Sequence, residues 1–164
     1  MCRSPPPSGS RLRHERIAGI EVPDAVVDDP SGVADLLVVG WGSSAGPIGE
    51  ACRLLRETGV HVAHLHLRHL NPFPANLGHL LGSYHRVVAP EMNLGQLAQM
   101  LRATYLVDVT PITKVRGESF TSVELAHAFN QAREGTLGVH EGGKAAAARA
   151  QIIARPRVLQ EEMA

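Results

Sequence analysis

A repeated unit constrains this chain more than any other feature: a short uncharged apolar run, a turn rich in Gly, Pro or Asn, then apolar residues at helical spacing. Leu36 to Val39 is the first run, continuous and rich in β-preferring residues, as a strand buried on both faces requires. Gly40-Trp41-Gly42-Ser43-Ser44-Ala45-Gly46 then turns the chain. Pro47 suits a first helical position, and Ile48, Ala51, Cys52, Leu54 and Leu55 recur at helical spacing until Gly59 closes the helix.

The unit then recurs along the chain. Val60 to Leu67 reads as a strand, Asn76 to Tyr84 as a short helix and His85 to Glu91 as another strand. Asn93 is a good N-cap for a helix carrying Leu94, Leu97, Ala98 and Leu101. Tyr105 to Val109 gives a further strand, Lys114 to Ser119 a polar turn, and Ser122 caps a last helix with Val123, Leu125, Ala126 and Phe129. Strands separated by helices of this size imply right-handed crossovers and a sheet covered on both faces. The expected fold is α/β: a three-layer α/β/α sandwich with a mostly parallel sheet.

The flanks differ. Residues 1–33 read as a polar, Pro-rich leader and a linker arm, and residues 133–164 as an irregular tail in which Lys144 to Ile153 has helical composition. The globular pattern occupies residues 34–132. Sixteen basic residues balance sixteen acidic ones, so no net field draws in nucleic acid or an anionic membrane. Apolar runs such as Leu36 to Val39 and Val87 to Ala89 fall far short of a bilayer span. Cys2 and Cys52 have no neighbour at metal or redox spacing, and the first ten residues hold no secretory h-region. A reducing, cytoplasmic setting is expected.

Few residues are candidates for chemistry. The Gly40 to Gly46 turn opens a helix where amide groups can hold a phosphate, but G-x-G-x-x-x-G is one residue too long for the dinucleotide fingerprint. Arg68 and His69 stand where that fingerprint places an acid after the second strand. Alternation puts His64 and His66 on one face of their strand and His61 on the other, too few ligands for a zinc site. G-W-G-S-S is not a nucleophile elbow, and capping accounts for one of its serines. Glu91, Asn93 and Gln96 form the best polar cluster, at the strand edge where open α/β sheets hold ligands. The plainer account of that cluster is that Asn93 caps the helix and Glu91 satisfies nearby donors.

V-V-G-W-G-S at Val38 to Ser43, H-L-R-H-L-N-P-F-P at His66 to Pro74, P-E-M-N-L-G-Q-L at Pro90 to Leu97 and K-V-R-G at Lys114 to Gly117 are four ordered motifs. Together they resemble the C-terminal part of the α subunit of 2-oxoacid:ferredoxin oxidoreductases, the 2-oxoglutarate type above all. The resemblance implies a transketolase C-terminal-like domain in an enzyme that oxidatively decarboxylates 2-oxoacids to acyl-CoA and reduces ferredoxin. It further implies thiamine diphosphate and an iron–sulfur cluster in the complex, with none of them bound by this chain alone.

Two functions of different class follow. In the first, the chain is a non-catalytic fragment or split part of that α subunit, packing against the β subunit and the remaining α-subunit portion, with ferredoxin an indirect partner. Asn71-Pro72-Phe73-Pro74 is then a stiff, partly apolar interface loop, oriented by Arg68, Glu91, Gln96 and Lys114. In the second, the chain is a free-standing small-anion or nucleotide-binding module, or an inactive remnant.

Overall fold

The computed structural model describes residues 16–17 and 19–137. Its strands are β1 (Val27–Asp28), β2 (Leu36–Trp41), β3 (Val62–Leu67), β4 (Arg86–Glu91) and β5 (Val109–Thr113). Its helices are α1 (Ala45–Glu57), α2 (Leu77–Gly82), α3 (Gln96–Tyr105) and α4 (Ser122–Glu134), with a 3-10 turn at Gly42–Ser44 before α1. The sheet order is β1-β3-β2-β4-β5. β2, β3, β4 and β5 are parallel, and β1 alone runs antiparallel, against β3.

Side-chain alternation along the strands divides the core. Leu36, Val38 and Val62 meet Ile48, Cys52 and Leu55 of α1 and Leu125 and Phe129 of α4. Leu37, Val39, Ala63 and Leu65 point the other way, onto Leu77 and Leu81 of α2 and Leu97 and Leu101 of α3. Strands buried on both faces need apolar residues at every position, which is why Leu36 to Val39 is continuous rather than alternating. The three-layer α/β/α sandwich expected from the sequence is therefore present.

Several local expectations are corrected. The strand expected over Tyr105 to Val109 begins only at Val109. Tyr105 extends the buried stripe of Leu97 and Leu101 by one more turn, and Leu106 ends α3 in a left-handed conformation, φ 55°, with its N–H on the Arg102 carbonyl. β5 lies at the open edge of the sheet, where Pro111 needs no second ladder partner. Pro47 is the third residue of α1, still within the first turn, whose amides have no intrahelical acceptor. Thr121, not Ser122, caps α4, in a reciprocal box with Glu124. Lys144 to Ile153 lies outside the described residues.

The arm before β2 is held more firmly than a linker would be. The Asn76 side chain accepts from the Ala25 amide at 2.8 Å and donates to the Ala25 carbonyl at 2.9 Å. Arg56 donates to the Asp28 carboxylate and carbonyl, both at 2.8 Å, and to the Val62 carbonyl, so one guanidinium ties α1, β1 and β3. Asn76→Ala should cost about 1–2 kcal/mol in denaturant unfolding. Hydrogen exchange should then quicken around Ala25 to Asp28 while β2 stays protected; unchanged exchange there would contradict the role given to Asn76.

Thr121→Ala should cost about 1 kcal/mol, since the hydroxyl accepts from the Glu124 amide at 3.2 Å. Thr121→Ser should restore most of it in the same unfolding experiment.

Candidate functional site

All four parallel strands end at one edge, so the four sequence motifs meet there as loops. β2 pairs with β3 over its whole length but with β4 only from Leu36 to Val38, so β2 and β4 part towards their carboxyl ends. The chain passes from β2 to β3 on one side and then crosses to β4 on the other. This is the switch point at which open α/β sheets place ligands.

Beside that point the protein supplies its own anion. Glu91, at the end of β4, is 2% exposed. Its Oε2 accepts from the Leu97 amide at 2.8 Å and its Oε1 from the Ala98 amide at 3.0 Å. Asn93 Oδ1 accepts from the Gly95 and Gln96 amides at 2.8 and 3.0 Å. The amides that open α3, which a bound phosphate would use, are therefore taken by two side chains of the same loop. Asn93 is thus not the N-cap itself but stands two residues before it. Gly95 occupies the cap with φ 87°, and a Cβ there would lie 3.1 Å from Pro111 Cβ.

The β2–α1 turn is closed in a similar way. Ser44 Oγ accepts from the Trp41 amide at 3.2 Å and donates to the Trp41 carbonyl at 2.7 Å. His66 Nε2–H donates to the Gly42 carbonyl at 3.1 Å. A Cβ on Gly40 would fall 2.5 Å from Ile48 Cδ1 and 3.2 Å from His66 Nδ1, so packing explains that glycine without a ligand.

Lys114 joins the edge to α4. Its amide donates to the Glu91 carbonyl at 3.0 Å. Its ammonium donates to the Ser119 carbonyl at 3.0 Å and the Glu124 carboxylate at 3.1 Å, and lies 5.7 Å from the Phe120 ring centroid. Partial burial pushes the Glu124 carboxyl up, but bonds from Thr121 and Lys114 outweigh it and hold it below the ordinary carboxylate range.

Of the residues singled out in the sequence, Glu91, Asn93 and Lys114 come together around the start of α3. Gln96 is exposed at its first turn. Arg68 and Asn71 are exposed on the β3 loop, across β2 from that cluster, followed by half-buried Pro72 after a cis peptide. Phe73 is half-buried against Tyr105, ring centroids 5.9 Å apart, so it belongs partly to the domain's own core. Trp41, Met92 and Val115 escaped the sequence reading, and Leu94, expected on the helix with Leu97 and Leu101, lies before α3 instead: all four are exposed apolar residues of these same loops. Their signal was an apolar residue inside each motif's turn, where burial does not require one.

His64 and His66 share the face of α1 as alternation requires, with rings 5.9 Å apart edge to face, while His61 and His69 are exposed. Among the described residues no group of three metal-ligating side chains forms. Cys52 is buried and its thiol is pushed up to about 12 by desolvation, which does not suit a cluster ligand. The described residues therefore do not fit an iron–sulfur cluster, and the occupied amides of α3 do not fit a diphosphate. No helix among the described residues is long and apolar enough to cross a membrane.

Comparison with known proteins agrees with the four motifs. Residues 34–127 match the family described as pyruvate:ferredoxin oxidoreductase core domain II. The chain is 59% identical over 139 residues to the 2-oxoglutarate oxidoreductase subunit KorA of Mycobacterium tuberculosis, covering 85% of this chain and 21% of that protein. Among solved structures, the 2-oxoglutarate:ferredoxin oxidoreductase of Magnetococcus marinus, with 2-oxoglutarate, coenzyme A and succinyl-CoA bound, superposes with a TM-score of 0.62 at 28% identity. That match covers 70% of this chain and 20% of the other. A split-gene transketolase superposes with a TM-score of 0.50 at 20% identity, over 70% of this chain and 43% of that one, a likeness of fold. The chain spans about a fifth of the length of the M. tuberculosis relative.

Proposed function

The chain belongs to the pyruvate:ferredoxin oxidoreductase core domain II family, and from that membership we propose that it serves as the non-catalytic C-terminal domain of a 2-oxoacid:ferredoxin oxidoreductase α subunit. The 2-oxoglutarate enzyme is the form its relatives favour. Its work is to pack against the remaining α-subunit portion and the β subunit in the cytoplasm, with ferredoxin meeting the assembled enzyme rather than this domain. Thiamine diphosphate and the iron–sulfur cluster, bound elsewhere in that assembly, supply the decarboxylation and electron-transfer chemistry.

One observation supports this division of labour beyond the family match: Glu91 and Asn93 occupy the amides of α3 at the sheet's switch point, where a ligand-binding member of such a fold would keep them open. The isolated chain should accordingly show no thermal shift with phosphate, nucleotides or coenzyme A, because nothing binds the native state to stabilise it. A saturable shift with any of them would favour a free-standing anion-binding module instead.

The assembly itself is tested by anaerobic purification of the tagged chain from its own host. Mass spectrometry should identify the oxidoreductase's remaining α and β polypeptides, together with thiamine diphosphate, in the eluate. A lone chain would contradict the proposal.

A further inference from the structure

Sheet order sets the exposed side chains of the carboxyl edge in a row. Passing along β3-β2-β4-β5, the strand ends and loops carry Arg68, then Trp41, then Met92 and Leu94, then Val115 and Arg116. Trp41 is 37% exposed, Met92 49%, Leu94 78% and Val115 61%. The centre of the row is thus apolar and each end bears a guanidinium, the ends separated by three strand spacings, or roughly 14 Å. Neither Arg68 nor Arg116 has a hydrogen bond or ion pair to another described residue. The other charges of this edge are engaged: Glu91 on α3 and Lys114 on Glu124. Among the described residues Glu118, exposed two residues beyond Arg116, is the one free acid of these loops, so the β5 end is less strongly basic than the β3 end.

Resting on the reading above, we infer that this row is the docking surface for the remaining α-subunit portion, and that the matching face there is apolar and flanked by carboxylates. Two facts select that occupant. An apolar centre with a charged rim is the composition of a protein–protein contact, in which aromatic, Met and Arg side chains are enriched. The chain also spans only 21% of the M. tuberculosis relative and 20% of the M. marinus enzyme chain, so a fifth of such a subunit must meet a body about four times its own size. Charge-paired rims fix register, while the apolar centre supplies most of the affinity.

Trp41 is the sole tryptophan of the chain and sits in this row, so its fluorescence reports occlusion directly. The full chain is titrated with the purified remaining α and β polypeptides of the same host, with acrylamide quenching of a tryptophan-free partner preparation's complex as readout. Leu94→Asp and the pair Arg68→Glu with Arg116→Glu are compared with Leu106→Asp, a 91% exposed residue at the end of α3 away from the row. Wild type and Leu106→Asp should bind and shield Trp41, while Leu94→Asp and the charge-reversed pair should each lose at least about tenfold in affinity with unchanged thermal unfolding.

Binding that survives both row variants, with Trp41 still quenchable in the complex, would overturn the surface and leave the family role intact. Absence of binding by wild type as well would overturn both. Concentration-dependent shielding of Trp41 in the chain alone, abolished by Leu94→Asp, would assign the row to a second copy and overturn the occupant named here.

Discussion

Replacing Glu91 by Ala should lower the unfolding free energy by about 3 kcal/mol, because two buried, charge-assisted hydrogen bonds are lost and their donors stay buried. The carboxylate faces the Leu97 and Ala98 amides, which lie in the first turn of α3 and are themselves shielded from water. Among the described residues no other acceptor reaches them. For a domain of this size the midpoint of thermal unfolding should fall by roughly 10 °C. Glu91→Gln keeps one acceptor oxygen but sets its NH2 against the other buried amide, donor to donor, and should cost nearly as much. The variant also tests why the site is closed. In Glu91→Ala the freed amides and the positive end of α3 leave a space the size of a carboxylate, so millimolar formate should recover part of the lost stability, while wild type should not respond. Equal stability of wild type and Glu91→Ala would remove the carboxylate from its capping role.

Acidification should destabilise the domain well before its carboxylates titrate. Burial under α1 pushes the His64 imidazole down to about 4, helped by the neighbouring His66 ring and opposed by Asp28, with Arg56 acting in the same downward sense. Its Nε2 is buried without a hydrogen-bond partner among the described residues. The unfolded chain, with His64 near 6.5, takes up the proton first as pH falls, so the contribution is complete above 6.5 and lost progressively towards 4. The full shift corresponds to about 3 kcal/mol, and screening of a partly exposed ring reduces this to about 2 kcal/mol. Glu124, held low by Thr121 and Lys114, loses its contribution only as pH falls through the carboxylate range. Urea unfolding at pH 7 and pH 5 should therefore differ in wild type and much less in His64→Phe. A slope unchanged by His64→Phe would assign it to another group.

The sequence made the layers legible because period and burial are coupled. Leu36 to Val39 is apolar at every position, as a strand covered on both faces requires, and Leu97 with Leu101 recurs at helical spacing. The misplaced fifth strand shows the limit: Tyr105 is compatible with strand or helix, and tertiary contact with Phe73 and with the space left by Gly78 decides it. The docking of the arm is not legible in the sequence for a different reason. Val27 and Asp28 make too short a run to signal a strand, and side chains distant in sequence pin the segment, Arg56 at Asp28 and Asn76 at Ala25.

The candidate site divided in the same way. Glu91 and Asn93 were identifiable as a cluster; Glu91 satisfies nearby donors as the plainer account has it, while Asn93 binds the amides from two residues before the cap. Which loop residues would remain exposed was not visible, since exposure depends on strand order, and the order β3-β2-β4-β5 is a property of topology rather than of any motif. Trp41, Met92, Leu94 and Val115 became a row only once that order was known.

The central claim, a non-catalytic domain of a larger oxidoreductase, is tested most directly by turnover. Anaerobic reduction of ferredoxin by 2-oxoglutarate and coenzyme A should be absent with the purified chain alone, even with thiamine diphosphate added. It should appear when the remaining α and β polypeptides are supplied, and rise with added chain to a one-to-one ratio. Turnover by the chain alone, or activity of the other polypeptides unaffected by its addition, would contradict the account.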